Sequence, residues 1–379
     1  MGAHESVRDR RNLKGGRMIL SAFAVLLTFG LVIFLHEFGH FLVCVKLGVR
    51  VERFAFGFGP ELIGFTRGDT RYSICAIPLG GFVKPAGESL DDATGDPDEY
   101  FSRSPWERLA IVAAGPAMNY ILAFVMFFLV VFFRGMPEPS TEPVLGDFAP
   151  DFPAVTAGLQ KGDRIVKADD LEITLWEDLA QYIHKHPGVP VNIQYARAGE
   201  MKAVTLTPRL DSASGRGLIG IVPVIDYQRV GFGGSILEAL HQCWYWTAYT
   251  VEQLAQKIYK RERPDLAGPV GIVQMVSRAA HSGLEDLVFL IGLISVAIGF
   301  FNILPIPLLD GGHGILYLWE GISRRKLTTQ IVGAANSVGL VFLLSLLIFA
   351  TFNDVMRIRD ARRAKKAAAE KPVAEQAAR

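Results

Sequence analysis

Four long apolar runs constrain the fold of this 379-residue chain more than any other feature of its sequence. An α-helix needs about 20 apolar residues to cross a hydrocarbon core that is about 30 Å thick. Half of the residues are hydrophobic and the mean hydropathy is +0.28, which is typical of membrane proteins. The sequence therefore predicts a polytopic α-helical membrane protein with about four transmembrane helices. The four runs are residues 19–45, 109–133, 286–304 and 334–352.

The first apolar run carries a metal-ligand pattern, His36-Glu-Phe-Gly-His40, where charge is otherwise absent. On a helix these two histidines share one face, so both imidazoles can reach one metal ion while Glu37 lies beside it. Ionisable residues inside a membrane are costly, and for that reason they indicate function. The alternative is a chance match, but chance matches fall mostly on soluble helices. The run also exceeds the roughly 7–15 apolar residues of a secretory signal, so we expect it to be retained as a transmembrane helix.

A catalytic zinc ion commonly has three protein ligands and one open position, so two histidines require one more ligand. Asp310 is the only acidic residue between Asp286 and Glu320, and it follows the third apolar run. Two prolines break the helix just before it, and irregular backbone at membrane depth is tolerated only around protein or a cavity. Asp310 is therefore the best candidate for the third ligand, and His313 is the alternative.

The segment between the first two apolar runs shows the period-two pattern of β-strands, interrupted by glycine and proline. We predict short strands or hairpins over residues 51–58 and 71–83. Residues 54–60 are unusually apolar for a water-exposed loop, so they lie either against the membrane or in an ordinary buried hairpin, and the pattern favours neither. The membrane-associated β-hairpin is what the family resemblance given below implies. Residues 88–99 are acidic but lack EF-hand spacing, so we expect a solvated loop and not an ion site.

Hydrophobicity falls to soluble levels after a proline-rich linker at residues 137–143 and stays there to about residue 227. The strand-like and helical runs in this stretch predict a small α+β domain inserted between the second and third membrane runs. Residues 231–280 are amphipathic, and their aromatic cluster indicates either a membrane–water interface or ordinary helix packing. The cluster comprises Trp244, Tyr245, Trp246 and Tyr249. The strand-like runs are residues 144–148, 164–168, 191–195 and 203–206, and the helical run is residues 176–184.

Both ends of the chain are basic. Residues 1–17 form a basic N-terminal tail, and Met18 is an alternative start of translation. The tail over residues 357–379 is rich in Ala, Lys and Glu and has no apolar face wide enough for a core, so we predict that it is disordered. A net charge of +1 gives no global indication of nucleic acid as a partner.

Taken together, these residues resemble the site-2 intramembrane zinc metalloproteases, specifically the bacterial regulator-of-sigma-E type. The motifs occur in the order and membrane setting of that family and cover nearly the whole chain. Their conjunction is far more specific than any single motif. The matching residues are His36-Glu-Phe-Gly-His40 in the first run, Gly115-Pro116 with Asn119 in the second, and Asn302 with Pro305-Ile-Pro-Leu-Leu-Asp-Gly-Gly312 in the third.

The resemblance implies a zinc ion held by His36, His40 and Asp310, with Glu37 as the general base that activates a zinc-bound water. Asn302 would position the substrate backbone or polarise its carbonyl, as an amide donor does at a developing oxyanion. The inserted domain looks like a PDZ domain, and there is room for only one, unlike in the two-PDZ members. The residues implied in substrate binding are Gly57, Phe58 and Gly59 in the hairpin, Asn119 and Pro305.

The implied domains divide the chain into five parts. They are a basic tail (1–17), a membrane protease core with two helices and the hairpin (18–136), the PDZ domain (137–227), an amphipathic segment with the last two helices (228–356) and a disordered basic tail (357–379).

The resemblance also implies cleavage within transmembrane segments of single-span proteins, such as anti-sigma factors or remnant signal peptides, in the bacterial cytoplasmic membrane. The family places both tails and the PDZ domain outside, and the basic loop at residues 324–326 agrees with this orientation. The basic tails themselves favour cytoplasmic ends under the positive-inside rule, so the two indications conflict. The alternative functions are a non-catalytic PDZ membrane adaptor with a structural zinc site and a metal-ion transporter. Retention of Glu37 argues against the adaptor, since a structural zinc needs no general base.

Overall fold

The computed structural model describes residues 2–89, 91, 93–212, 214–260 and 268–377. The chain divides into two compact units, one formed by Met1–Val130 with Gly233–Arg379 and the other by Val131–Phe232. In chain order the helices are α1 Gly2–Lys46, α2 Pro105–Arg134, α3 Pro153–Thr156, α4 Trp176–Lys185, α5 Phe232–Lys260, α6 Pro269–Ser282, α7 Leu284–Ile303, α8 Asp310–Ser323 and α9 Thr329–Ala377.

The strands form one long hairpin in the first unit and small sheets in the second. In chain order they are β1 Val51–Arg67, β2 Thr70–Pro85, β3 Met136–Pro139, β4 Leu145–Phe148, β5 Arg164–Ala168, β6 Leu171–Glu172, β7 Val191–Arg197, β8 Glu200–Leu206, β9 Arg209–Leu210, β10 Gly217–Leu218, β11 Ile221–Pro223 and β12 Ile225–Gln228.

Four of the described helices are long and apolar enough to cross a membrane, which confirms the predicted fold class. These spans are Gly15–Lys46, Pro105–Arg134, Leu284–Ile303 and Thr329–Asp360. The prediction that residues 357–379 are disordered is wrong for the described part, because α9 continues to Ala377. Ala, Lys and Glu all have high helix propensity, so a helix that enters this segment can continue through it.

The first unit packs its helices closely around α2. Gly292 of α7 lies against the ring of Phe127, which is fully buried together with Ala123 and Val296. The small residues let two apolar helices approach each other, as is usual in membrane helix packing. Pro116 lies inside α2 and the helix continues past it.

The amphipathic segment forms α5 and α6, and its aromatic cluster divides between the two predicted environments. Trp246 packs against Phe289 of α7 with ring centroids 6.1 Å apart, while Trp244 on another side of α5 is 72% exposed. The Tyr120 hydroxyl of α2 lies 3.0 Å from the Thr247 hydroxyl of α5. This segment therefore packs against two membrane spans and also presents aromatic surface outward.

Strands β1 and β2 pair antiparallel as a hairpin that is much longer than the predicted short strands. Residues 53–56 of β1 pair with residues 81–84 and also with residues 71–74 of β2, so the hairpin folds back on itself. Its register shifts repeatedly between residues 51 and 63, as bulges in a long ribbon do. Its base is buried, since Phe54 packs against Phe34 and Phe41 of α1. Farther along, Phe58 is 46% exposed and Ile63 is 69% exposed. The base thus matches the buried alternative, and the outer part presents the apolar surface expected of a membrane-associated hairpin.

The described residues of the acidic segment after the hairpin are mostly exposed, as predicted, and Glu99 is the exception. Glu99 is buried and accepts hydrogen bonds from the Thr94 hydroxyl at 2.8 Å and from the Gly95 N–H at 2.9 Å. Hydrogen bonds from Thr94 and Gly95 lower the pKa of the Glu99 carboxyl. Asp91 and Asp96 are exposed as expected, and Asp92 lies outside the described residues.

The second unit contains a four-stranded antiparallel sheet in the order β6-β5-β7-β8. Helix α4 packs Leu179 and Ile183 into a core with Ile165 and Ile193 of the sheet. At the two ends of the unit, β3 pairs with β12, which brings the segments that enter and leave it together. The predicted insertion of a small α+β domain is confirmed, with bounds a few residues wider than 137–227.

Candidate metal centre

The three side chains predicted as zinc ligands meet in the structure. The Nε2 atoms of His36 and His40 lie 3.2 Å apart. Asp310 places Oδ2 3.1 Å from His36 Nε2 and Oδ1 3.5 Å from His40 Nε2. Around a tetrahedral zinc ion with bonds of about 2.1 Å, donor atoms are roughly 3.4 Å apart. The donor set and its spacing therefore fit a zinc site.

His40 is oriented by the backbone of α2. Its Nδ1 lies 2.8 Å from the carbonyl oxygen of Ile111. A carbonyl oxygen can only accept, so Nδ1 carries the hydrogen and donates it. In the neutral ring this leaves the lone pair on Nε2, directed at the other two ligands. The Ile111 carbonyl thus selects the tautomer that binds a metal.

His36 is held by Asn119, whose amide Nδ2 lies 3.1 Å from His36 Nδ1. Asn119 is fully buried, and its Oδ1 has no hydrogen-bond partner among the described residues. A 180° rotation of the amide lets Oδ1 accept from His36 Nδ1–H, which again leaves Nε2 for the metal. Asn119 lies behind the His36 ring and has no exposed surface, so its predicted role in substrate binding stays a prediction. It acts on the site through His36.

Asp310 supplies further evidence that a cation belongs here. Its Oδ2 is buried and makes no hydrogen bond within the described part of the chain. Two imidazole lone pairs and a carboxylate are all acceptors, so they cannot satisfy one another, and the described residues place no donor on Asp310 Oδ2. Among the described residues, His36, His40 and Asp310 form the one group of this kind that can hold a metal ion. His313 lines the same cavity but stacks on Tyr317, with ring centroids 6.4 Å apart.

Two glycines permit the close packing on which the site depends. A Cβ atom at Gly115 would lie 2.3 Å from His40 Nε2 and 2.8 Å from His36 Cε1. A Cβ at Gly311 would lie 2.2 Å from the carbonyl oxygen of Ile303. Any larger residue would push α2 away from the imidazoles or displace the start of α8, which begins at Asp310.

Glu37 and Asn302 line the same cavity as the three ligands, which has a volume of about 1010 Å³. Glu37 Oε2 accepts a hydrogen bond of 3.2 Å from the Val83 N–H of β2. The hairpin therefore reaches the site through its second strand. Gly57, Phe58, Gly59 and Pro305, which the sequence predicts to bind substrate, are not among the described lining residues of this cavity. Their role stays a prediction.

Several groups that build the site were not predicted from sequence. The Ile111 carbonyl and the Val83 N–H belong to the backbone, which every residue carries, so no sequence signal could have identified them. Arg108 and Glu320 form a buried ion pair between α2 and α8, with Nη2 and Oε2 3.0 Å apart. The sequence does contain a signal for this ion pair, because Arg108 and Glu320 are charged residues beside apolar runs.

Membrane-spanning helices that converge on two histidines and an aspartate define a membrane-embedded metallopeptidase. The profile of peptidase family M50 matches residues 24–346, and the chain belongs to that family. The predicted resemblance is thereby confirmed, and so are the enzyme class, the zinc cofactor and the integral membrane character.

Known relatives match this chain over almost their entire lengths. A candidate zinc metalloprotease of Clostridium acetobutylicum is 36% identical over 341 residues, which cover 87% of this chain and 96% of that protein. Zinc metalloprotease RasP of Geobacillus kaustophilus is 28% identical over 415 residues, covering 89% of this chain and 98% of RasP. A PDZ domain from an SdrC-like protein of Listeria monocytogenes is 23% identical and covers 24% of this chain and 94% of that domain, with a TM-score of 0.20. At that TM-score the PDZ assignment of the inserted unit stays a prediction.

Proposed function

We propose that this protein is an intramembrane zinc endopeptidase that cleaves the transmembrane segments of single-span membrane proteins. The observation that carries the proposal is the convergence of His36, His40 and Asp310 with Glu37 in one cavity among membrane-spanning helices. A metal site among membrane-spanning helices can act on peptide bonds that lie inside the bilayer in the intact substrate.

Zinc bound to these three ligands supplies a Lewis acid that polarises the substrate carbonyl and acidifies a water molecule to a pKa of about 7. Glu37 follows His36 directly, lines the cavity and is held by the Val83 N–H. We assign it the role of general base: it takes the proton from the attacking water and delivers it to the leaving amine. The Ile111 carbonyl holds the hydrogen of His40 on Nδ1, and Asn119 does the same for His36 when its Oδ1 accepts from Nδ1–H, so that both Nε2 atoms can bind the metal.

Asn302 lies in the last turn of α7 and lines the same cavity. Its amide N–H can donate to the substrate carbonyl oxygen, and the bond strengthens as negative charge develops there. This assigns Asn302 to substrate positioning and oxyanion stabilisation, while proton transfer belongs to Glu37.

A helical substrate must be unwound before its peptide bonds are accessible. The end of β2 at Val83 adjoins Glu37, so a substrate segment that adds to the hairpin as a strand would be held next to the base. On the outer part of the hairpin, Phe58 and Gly59 are exposed and offer an apolar surface to which such a segment can bind, while Gly57 is buried and contributes through the close approach of its backbone to β2. We assign Pro305, an exposed residue of the broken segment between α7 and α8, to the same function.

We infer that the inserted unit is a PDZ domain that selects substrates before they reach the site. A groove of about 360 Å³ runs along α4 and β11 and is lined by apolar side chains. It suits an extended peptide with an apolar end, such as an anti-sigma factor or a signal-peptide remnant trimmed by a first protease. The basic loop at residues 324–326 favours a bacterial inner-membrane orientation with this domain on the extracytoplasmic side.

The test is metal analysis of the detergent-purified full chain combined with cleavage of a model transmembrane substrate. We expect about one zinc ion per chain, loss of cleavage on chelation and recovery on addition of Zn²⁺. Tightly bound zinc with no cleavage of any single-span substrate would instead support the non-catalytic adaptor. Cleavage that survives complete removal of metal would overturn the proposal.

A further inference from the structure

Arg108 and Glu320 form a buried ion pair that the peptidase chemistry does not use directly. Arg108 Nη2 lies 3.0 Å from Glu320 Oε2, and the two side chains are only 3% and 10% exposed. The Arg108 guanidinium also lies 5.1 Å from the centroid of Phe101 and 4.7 Å from that of Tyr317. Both charges are therefore removed from water, and each depends on the other for compensation.

The pair joins the two helices that supply most of the metal site. Glu320 lies on α8, the helix that begins with Asp310. Arg108 lies near the start of α2, whose following turns carry the Ile111 carbonyl that orients His40 and the Asn119 amide that holds His36. Helix α2 is thus the common support for both histidines, and the ion pair attaches the aspartate-bearing helix to it.

Apart from the Arg108 contact with the Tyr317 ring, the other contacts that the structure gives between these two helices are apolar and involve small residues. Gly314 of α8 lies beside Leu109 and Val112, and Gly321 lies against the Trp106 ring. Apolar contacts of this kind tolerate sliding and rotation. A shift of α8 by one residue would move Glu320 by about 1.5 Å and 100° around the helix axis and leave two buried charges unpaired. The ion pair therefore discriminates between registers that the apolar contacts do not.

We propose that Arg108 and Glu320 are positioning residues that set the register of α8 on α2 and thereby place the Asp310 carboxylate within reach of the metal. The inference rests on the ligand set of the proposed function. It predicts that the pair controls metal affinity and coordination geometry, although neither residue lies in the coordination shell.

The experiment measures zinc affinity of the detergent-purified full chain by chelator competition, with Glu320→Gln, Arg108→Met and the double variant Arg108→Met/Glu320→Leu. We expect each single variant to bind zinc about 10–100-fold more weakly, the range seen when outer-shell partners of metal ligands are removed. The double variant should bind zinc as weakly as the single variants, because it removes both charges and leaves only apolar contacts to fix the register of α8. Recovery of zinc affinity in the double variant would show that the single variants lose affinity through an unpaired buried charge, and would overturn the positioning role.

A second readout separates positioning from loss of stability. Co²⁺ in place of zinc gives visible absorption bands that report coordination geometry. We expect the single variants to change these bands. Asp354→Asn is the matched control, because Asp354 is another buried carboxylate of the same unit and accepts hydrogen bonds from the Gly268 and Gly271 N–H groups. This control should lower thermal stability and leave the Co²⁺ spectrum and zinc affinity unchanged.

Asp310→Ala distinguishes failure of this inference from failure of the proposed function. If Asp310→Ala leaves zinc affinity unchanged, the ligand set is wrong. If Asp310→Ala weakens binding while Glu320→Gln and Arg108→Met bind zinc normally with the wild-type Co²⁺ spectrum, the positioning role alone is overturned. Equal loss of affinity in Asp354→Asn would also overturn it, since the effect would then be general destabilisation.

Discussion

The backbone carbonyl of Ile111 accepts a hydrogen bond from Nδ1 of His40, with 2.8 Å between the two heavy atoms. Helix α2 thereby determines which nitrogen of a residue on α1 faces the metal. Because the acceptor is backbone, replacing the Ile111 side chain leaves the hydrogen bond in place. The chemistry of the ligand thus depends on the path of a neighbouring helix.

Glu37→Gln should retain zinc and lose proteolysis by about 10²–10⁴-fold, the usual contribution of a general base. The glutamine amide has the same shape as the glutamate carboxylate, and its oxygen can still accept the hydrogen bond from the Val83 N–H, but it cannot accept the proton from water. Zinc content and cleavage of a transmembrane substrate are measured on the same preparation. Asp286→Asn, which changes a carboxylate at the start of α7, is the control and should cleave normally. Normal turnover by zinc-loaded Glu37→Gln would remove Glu37 from the mechanism.

Asp310→Ala should lower zinc occupancy and abolish cleavage together, because the two histidines alone are a poor site. Asp310→Asn should keep some metal with little activity, since its amide oxygen is a weaker, uncharged donor. Occupancy is followed by elemental analysis after dialysis against a chelator. His313→Ala serves as the comparison and should retain zinc. The opposite pattern, with zinc lost in His313→Ala and kept in Asp310→Ala, would reassign the third ligand.

Asn119→Ala should weaken zinc binding by about 10-fold and lower kcat, with little change in KM, because Asn119 orients His36 from behind. A residue that contacts substrate would instead raise KM. Steady-state kinetics and chelator competition together decide between the two roles. Ser295→Ala, which removes a hydroxyl donor to the Asn119 backbone carbonyl, is the control and should have a much smaller effect. A selective rise in KM in Asn119→Ala would support the substrate-binding role.

Replacing residues 143–226 by a short flexible linker should preserve zinc and relax selectivity toward untrimmed substrates. The inserted unit has its own core, so the membrane unit does not need it for packing. Cleavage of full-length and pre-trimmed versions of one substrate is compared in the deletion variant and the intact chain. Loss of bound metal on deletion would show that the inserted unit belongs to the structural core.

The ion pair of Asp163 with Arg197 should make the inserted unit sensitive to acid. Two hydrogen bonds of 2.7 Å join Arg197 to the buried Asp163 carboxylate. Burial alone would raise the pKa of Asp163, but the hydrogen bonds from Arg197, the hydrogen bond from the Gln160 N–H and the charge of Arg197 together lower it. A lowered pKa stabilises the fold above the unfolded value near 4, and that stabilisation is lost as pH falls through the folded pKa.

Arg197→Met should therefore destabilise the unit by about 2 kcal/mol at neutral pH, because it leaves a buried carboxylate without its charged partner. Thermal unfolding of the excised unit at several pH values from 7 to 3 measures the effect, which should shrink toward low pH. Arg164→Met removes an exposed pair with Glu142 and should cost much less. Equal losses in the two variants would contradict this account.

Local patterns were sufficient for much of the architecture. The apolar runs predicted the spans, and the one-turn spacing of His36 and His40 placed both imidazoles on one face of α1, because each depends only on residues close in sequence. The strand-like runs of the inserted unit also agree with β4, β5, β7 and β8. The predicted lengths of the first two strands were wrong, because pairing between strands decides where a strand ends. Strands β1 and β2 stay paired across bulges that neither strand encodes by itself.

The sequence by itself determined that a chain with this pattern crosses the membrane and carries two metal ligands on its first span. Tertiary structure alone decided that Asp310 lies beside them, that the Ile111 carbonyl selects the His40 tautomer and that Asn119 lies behind His36. Periodicity reports which face of a helix a residue occupies, but not which distant helix covers that face. That choice is made by packing, where Gly115, Gly311 and the Arg108–Glu320 pair admit one arrangement of α1, α2 and α8.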